Sequence, residues 1–210
     1  MKKIVIIGAN DFQNQLILKA KEMGFETHVF AWQDGSIGER TADYFYPVSI
    51  VEIDEILEKC KEIKPDAVAT IASDLANITV SKVAAGLGLP GNTPECIEIS
   101  TNKYAMRSAF LKAGIPTPAF YKVDQVQDEL YKMKLPVIVK PTDRSGSRAI
   151  TKITDFKDLE GAIQDAVDQS FEKKAIVEEY IEGNEYSYET ISYRGKHTNL
   201  AVTKKYTTGA

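Results

Sequence analysis

Lys140 closes a short apolar run, Val137-Ile138-Val139, and precedes Pro141 and a small polar loop, Asp143-Arg144-Ser145-Gly146-Ser147. The run predicts a buried strand over 136–140, which Pro141 stops. Strand character resumes through Ala149-Ile150-Thr151-Lys152-Ile153, so a second strand is expected over 148–153. A lysine at a strand end, facing a glycine-containing hairpin loop, suits a polyphosphate. The ammonium is a point charge and the loop offers backbone N–H groups. An ordinary hairpin with a surface lysine explains this stretch alone equally well.

Two further segments carry ionisable groups in a spaced pattern. Ala175-Ile176-Val177 predicts a strand over 174–180 that runs into Glu178-Glu179-Tyr180-Ile181-Glu182-Gly183-Asn184-Glu185. Upstream, Thr101-Asn102-Lys103 opens a helix expected over 102–113, followed by Gly114-Ile115-Pro116-Thr117-Pro118. Lys103 and Arg107 lie one turn apart on that helix, so both face one side. Taken singly, these are a solvated acidic turn and a solvated helix face. Taken in order, the Lys-Pro strand end, the Ser-Gly-Ser loop, the Glu-Glu-x-Ile run and Gly-x-Glu resemble the ATP-grasp superfamily of carboxylate–amine ligases. The resemblance spans roughly residues 94–208.

That resemblance implies roles. Lys103, or Arg107 four residues on, and Lys140 contact phosphates, and the loop 143–148, with Ser145, Gly146 and Ser147, closes over them. Glu178, Glu179, Tyr180 and Ile181 resemble the hinge that recognises adenine. There a carboxylate and a backbone carbonyl accept from the 6-amino group, and the Ile181 N–H donates to a ring nitrogen. Glu185 matches the position that holds ribose hydroxyls. One departure stands out: relatives often carry Gly where this chain has Ala149, and a Cβ restricts φ.

The implied reaction is activation of a carboxylate by ATP to an acyl phosphate, attacked by an amine or similar nucleophile. Positioning and charge neutralisation by Lys, Arg and Mg²⁺ carry such catalysis, with no protein nucleophile. The relatives it most resembles are carbamoyl-phosphate-synthase-like and purine-biosynthetic carboxylases and ligases. The family's magnesium ligands, a Glu and a Glu-x-Asn pair, have no counterpart in residues 186–210 and are expected beyond residue 210. The chain therefore reads as a gene fragment, with a full pre-ATP-grasp domain and the first lobe of the ATP site. By itself it is expected to show no turnover. A non-catalytic nucleotide-binding or regulatory module is the alternative.

The elements that position these residues alternate from the start. Strands are expected at Lys3–Gly8, Thr27–Trp32, Tyr44–Val48 and Ala67–Ala72, and helices at Gln13–Met23, Glu52–Ile63 and Ile78–Leu87. This β-α rhythm predicts a Rossmann-like parallel sheet with helices on both faces. Leu89-Pro90-Gly91-Asn92-Thr93-Pro94 is the boundary, dividing a domain at 1–93 from an incomplete ATP-grasp domain at 94–210. The second domain is expected to be α+β, with a helix at 155–168 and strands near 186–193 and 198–205. Gly8 begins a dinucleotide fingerprint that Asn10 and Gln13 break, which disfavours an NAD enzyme. In ATP-grasp enzymes the corresponding loop often lines the acceptor-substrate pocket, which points to Asn10. Ser73-Asp74 ends the fourth expected strand, where α/β sheets bind ligands, and both residues also serve as helix N-caps.

Composition bounds the rest. The 210 residues are 43% hydrophobic and 27% charged, with net charge −4 and no basic run, which argues against nucleic acid. No apolar run approaches a membrane span, and the basic start before Ile4 is too short in its apolar part for a signal peptide. Cys60 and Cys96 have no metal-like spacing and fit free thiols in the cytoplasm, and His28 and His197 are isolated. The partners implied are small-molecule carboxylates and amines, and the family admits a homodimer.

Overall fold

A computed structural model describes residues 1–206 of the chain. For Thr207–Ala210 the reading of 186–210 as lacking metal ligands lies outside the described residues.

The first half alternates β1 (Lys3–Ile7), α1 (Asp11–Glu22), β2 (Glu26–Phe30), α2 (Ile37–Thr41), β3 (Tyr44–Tyr46), α3 (Ile53–Ile63), β4 (Ala67–Ala69) and α4 (Asp74–Gly86). The strands pair in parallel in the order β3-β2-β1-β4. Such a sheet is covered on both faces, which is why β1 is a continuous apolar run. Val5, Ile6, Ile7, Val29 and Phe30 form its core with Ile17, Ile56 and Val83 from the helices.

Two boundaries in this half differ most from expectation. β4 stops at Ala69: the Thr70 hydroxyl donates to the Ile7 carbonyl at 2.7 Å, and Ala72 turns to φ +54°. α4 starts at Asp74 rather than Ile78, because the Ser73 hydroxyl accepts from the Ala76 N–H at 3.2 Å. Ser73 and Asp74 thus begin a helix and do not end a strand. The short helix α2 had no periodic signal.

The second half holds α5 (Pro94–Thr101), α6 (Lys103–Lys112), β5 (Phe120–Val123), β6 (Val137–Pro141), β7 (Thr151–Ile153), α7 (Leu159–Gln169) and β8 (Ala175–Glu179). Its strands form an antiparallel sheet in the order β5-β8-β6-β7. Val137, Val139, Ala175 and Val177 pack with Leu159, Ile163 and Ala166 of α7 in a second core. By strand alternation, Ile138 and Lys140 take the other face. β7 begins at Thr151, not at residue 148, because Ser147 at φ +54° and Ala149 at φ +48° cannot belong to an extended strand. α5 and β5 were not expected. A separate antiparallel pair, β9 (Glu185–Tyr193) with β10 (Lys196–Lys205), follows and is exposed along most of its length.

Candidate functional site

Register brings the central residues together. Antiparallel pairing sets Ile138 opposite Glu178 and Lys140 opposite Ile176, so Lys140 and Glu178 are diagonal neighbours on one sheet face. Their side chains form an ion pair. Arg107, from α6, donates to the same carboxylate, Nε to Oε2 at 2.9 Å and Nη2 to Oε1 at 3.5 Å. Glu178 is only 5% exposed. Burial pushes its carboxyl up, but the hydrogen bonds from Arg107 and Lys140 outweigh that and hold it below the usual carboxylate range. A solvated acidic turn therefore does not describe Glu178; exposure begins at Tyr180.

Lys103 and Arg107 share a helix but take different partners. The Lys103 backbone N–H donates to the Thr142 carbonyl at 2.7 Å, and its ammonium donates to the Arg144 carbonyl at 2.6 Å. Burial, and then the charge of Lys140, weaken the ammonium's hold on its proton, against Asp143, Asp74 and Glu178. Asn102 caps α6 through the Tyr104 and Ala105 N–H groups at 3.0 and 3.1 Å. Asp143 accepts from the Phe171 and Glu172 N–H groups at 3.0 and 2.7 Å. The Arg144 guanidinium lies over the Phe171 ring, 4.3 Å from its centre. The loop root is therefore anchored on both sides. At its tip Ser145, Gly146 and Ser147 are exposed, with Gly146 at φ +76°.

The hinge is held by backbone bonds, Glu179 N–H to the Ala119 carbonyl at 2.9 Å and Tyr180 N–H to the Pro136 carbonyl at 3.2 Å. Lys152 sits over the Tyr180 ring, 3.7 Å from its centre, in a cleft of about 340 Å³ lined also by Pro136, Glu179 and Glu182. Among the described residues the Ile181 N–H has no hydrogen-bond partner. Glu185 starts β9, is exposed, and pairs with Lys205 at 2.9 Å; it does not join the Lys140–Glu178 cluster.

A second cleft, about 210 Å³, opens at the carboxyl ends of β1, β2 and β4, lined by Asn10, Gln13, Trp32, Asp34, Ser36 and Ser73 among others. Asn10 caps α1 through the Phe12 N–H at 3.0 Å. Gln13 is 2% exposed and donates to the Ile71 carbonyl at 2.5 Å. Its side chain fills the space beside Gly8, where a Cβ would meet it at 3.0 Å. Gln13, one of the two residues that break the dinucleotide fingerprint, thus packs against the fingerprint's first glycine. Asp74 is exposed at the start of α4, and its charge acts on Lys103. Sequence reasoning took Arg144 only as part of the loop 143–148 and missed Lys152, Trp32 and Asp34; Lys152 lies just past the loop motif, the only local signal.

The chain belongs to the ATP-grasp family, whose ATP-grasp domain matches residues 100–209. Over 208 residues it is 28% identical to the 3-methyl-D-ornithine–L-lysine ligase of Methanosarcina barkeri, covering 98% of this chain and 51% of that protein. An L-amino acid ligase from Bacillus licheniformis shares the fold at TM-score 0.82 and 24% identity, over 98% of this chain and 50% of its own. The biotin carboxylase domain dimer of Hydrogenobacter thermophilus 2-oxoglutarate carboxylase, solved with MgADP, ADP and bicarbonate, matches at TM-score 0.71 and 20% identity, over 88% and 45%. The chain spans about half the length, or less, of the curated relatives it matches.

Proposed function

We propose that this chain is the ATP-binding part of an ATP-grasp ligase that turns a carboxylate into an acyl phosphate for attack by an amine. The observation that carries the reading is the buried Glu178 carboxylate held by Arg107 and Lys140 beside the hinge. Three residues past this carboxylate the hinge carries an unpartnered Ile181 N–H, which suits the donor–acceptor edge of adenine, and the cations suit its phosphates. Lys140, Arg107 and Lys103 would offset phosphate charge, Ser145, Gly146 and Ser147 would fold over it, and Glu185 would reach the ribose on closure. The carboxylate oxygen attacks the terminal phosphorus and ADP leaves; the amine then displaces phosphate from the acyl carbon.

Mg²⁺ accompanies ATP in this reading. Among the described residues no three His, Cys, Asp or Glu side chains cluster, so no step is assigned to the metal. The cleft at Asn10 and Ser73 would take the acceptor, with Asp74 following Ser73 at the start of α4. The two ligases above make amino acids the first substrates to try. The reading divides the chain near residue 93 and places it in the cytoplasm as an enzyme of small molecules; no described helix is long and apolar enough to cross a membrane. A homodimer, as in the biotin carboxylase domain, belongs to the same reading.

The test is ADP release by the full-length protein, dependent on an added carboxylate and amine. Lys140→Ala should weaken ATP binding about tenfold or more by calorimetry, because a charged contact exceeds about 1.4 kcal/mol. An unchanged constant rejects the site. ATP binding without turnover returns the binding-module alternative.

A further inference from the structure

We propose that Arg144 is a further phosphate-binding residue, held on Phe171 until a nucleotide's phosphates draw its guanidinium into the site. The proposal rests on the nucleotide reading above and concerns a cation that reading leaves unused. Lys140 and Arg107 share the Glu178 carboxylate, which already offsets part of their charge. Among the described residues Arg144 has no carboxylate partner, and its Nε is buried without a hydrogen-bond partner. A guanidinium is always charged and carries five N–H donors. Buried donors are nearly always satisfied, so one left unmade points to an acceptor still to come.

The contact Arg144 does make is a weak one. Its guanidinium lies 4.3 Å from the centre of the Phe171 ring, which is 58% exposed in the turn between α7 and β8. A cation over an exposed ring gains little. A phosphate offers the planar fork two charge-assisted hydrogen bonds, which are stronger.

The backbone beneath is already in place. The Arg144 carbonyl accepts from the Lys103 ammonium at 2.6 Å, so Arg144 stands beside a cation assigned to the phosphates. Asp143 fixes the chain just before it to the Phe171 and Glu172 N–H groups, and the Thr142 N–H donates to the Lys174 carbonyl at 3.3 Å. Arginine and ring are thus built on one frame. Turning the side chain off the ring brings the charge across while the loop root stays still.

With full-length protein, metal-free ATP, inorganic tripolyphosphate and adenosine are titrated against the wild type, Arg144→Gln and Phe171→Leu. Arg144→Gln should weaken ATP and tripolyphosphate about tenfold and leave adenosine unchanged. Phe171→Leu releases the guanidinium, so both phosphate ligands should bind about two- to fivefold more tightly, the equilibrium equivalent of one exposed cation–π contact. In the double variant that gain should vanish. A purely structural stack would lower the melting temperature and leave the preference between tripolyphosphate and adenosine unmoved; that result overturns the proposal.

Where Arg144→Gln does not fold, Phe171→Leu decides, and an unchanged or weaker tripolyphosphate affinity in it overturns the proposal. A gain that persists without Arg144 does the same. ATP binding that falls with Lys140→Ala but not with Arg144→Gln keeps the nucleotide site and removes Arg144 from it. A wild type that binds no ATP removes both.

Discussion

Ala149 carries a Cβ at φ +48°, in the loop that follows Lys140. A left-handed L-residue costs about 1–2 kcal/mol. Glycine removes that strain and gives back about 0.5–1 kcal/mol in unfolded-chain freedom. Ala149→Gly should therefore stabilise the protein by up to about 1 kcal/mol in urea unfolding; a loss would show that the alanine conformation is unstrained. Glu178 makes a prediction in pH. Its folded carboxyl lies below the usual 4.5 because Arg107 and Lys140 outweigh burial. Its contribution is thus present above about pH 4.5 and lost as pH falls through the lowered folded value. Melting curves of the wild type should drop more steeply than those of Glu178→Gln on acidification below that point; parallel curves would reject the coupling. The sequence made Lys140 and Glu178 visible because each ends a clear apolar strand. It did not reveal that they bind each other, since that depends on the β6–β8 register. Nor did it reveal that Arg107 turns to Glu178 while Lys103 turns to the loop carbonyl.

Among the elements, those with long periodic patterns were legible and those held by tertiary contact were not. α3 repeats Ile56, Cys60 and Ile63 on its buried face, and its extent was read nearly to the residue. α2 has only five residues and exists because Gly38 lets it approach the β1–α1 turn. The Gly38 N–H donates to the Ala9 carbonyl at 2.9 Å, and a Cβ there would stand 2.6 Å from that oxygen. Backbone cannot yield as a flexible side chain would. Gly38→Ala should cost about 1–3 kcal/mol, the usual range for overpacking. A change below about 0.5 kcal/mol, the scale of ordinary surface substitutions, would mean that α2 moves freely. β5 escaped notice for a related reason. Phe120 to Val123 is short, and only pairing with β8 makes it a strand. The end of α4 nearest the second cleft was misjudged because a cap, Ser73, outranks the apolar pattern that begins later.

Across the whole molecule, two hydrophobic cores form around two kinds of sheet. The parallel sheet gathers residues from Ile4 to Val83, and the antiparallel sheet gathers residues from Val123 to Val177. The alternation of strand and helix announced the first. The second was legible chiefly through its motif residues, because antiparallel strands separated by a long loop carry weaker local pattern. The charged groups assigned to the phosphates and to the adenine amino group, Lys140, Glu178, Lys103 and Arg107, lie on the second sheet and on α6, while Asp74 couples to Lys103 from α4. This arrangement predicts unequal protection in hydrogen exchange. Ligand at about 100 times its dissociation constant adds about 2.7 kcal/mol to any opening that destroys its site. Amides of Val139 and Val177 should then exchange about a hundredfold more slowly with ATP than without it, in the full-length protein. Amides of Val5 and Val29 should hold their rates, because their openings leave the nucleotide groups intact. Equal slowing in both sheets would mean that the two cores open together, and the boundary near residue 93 would then divide a single cooperative unit.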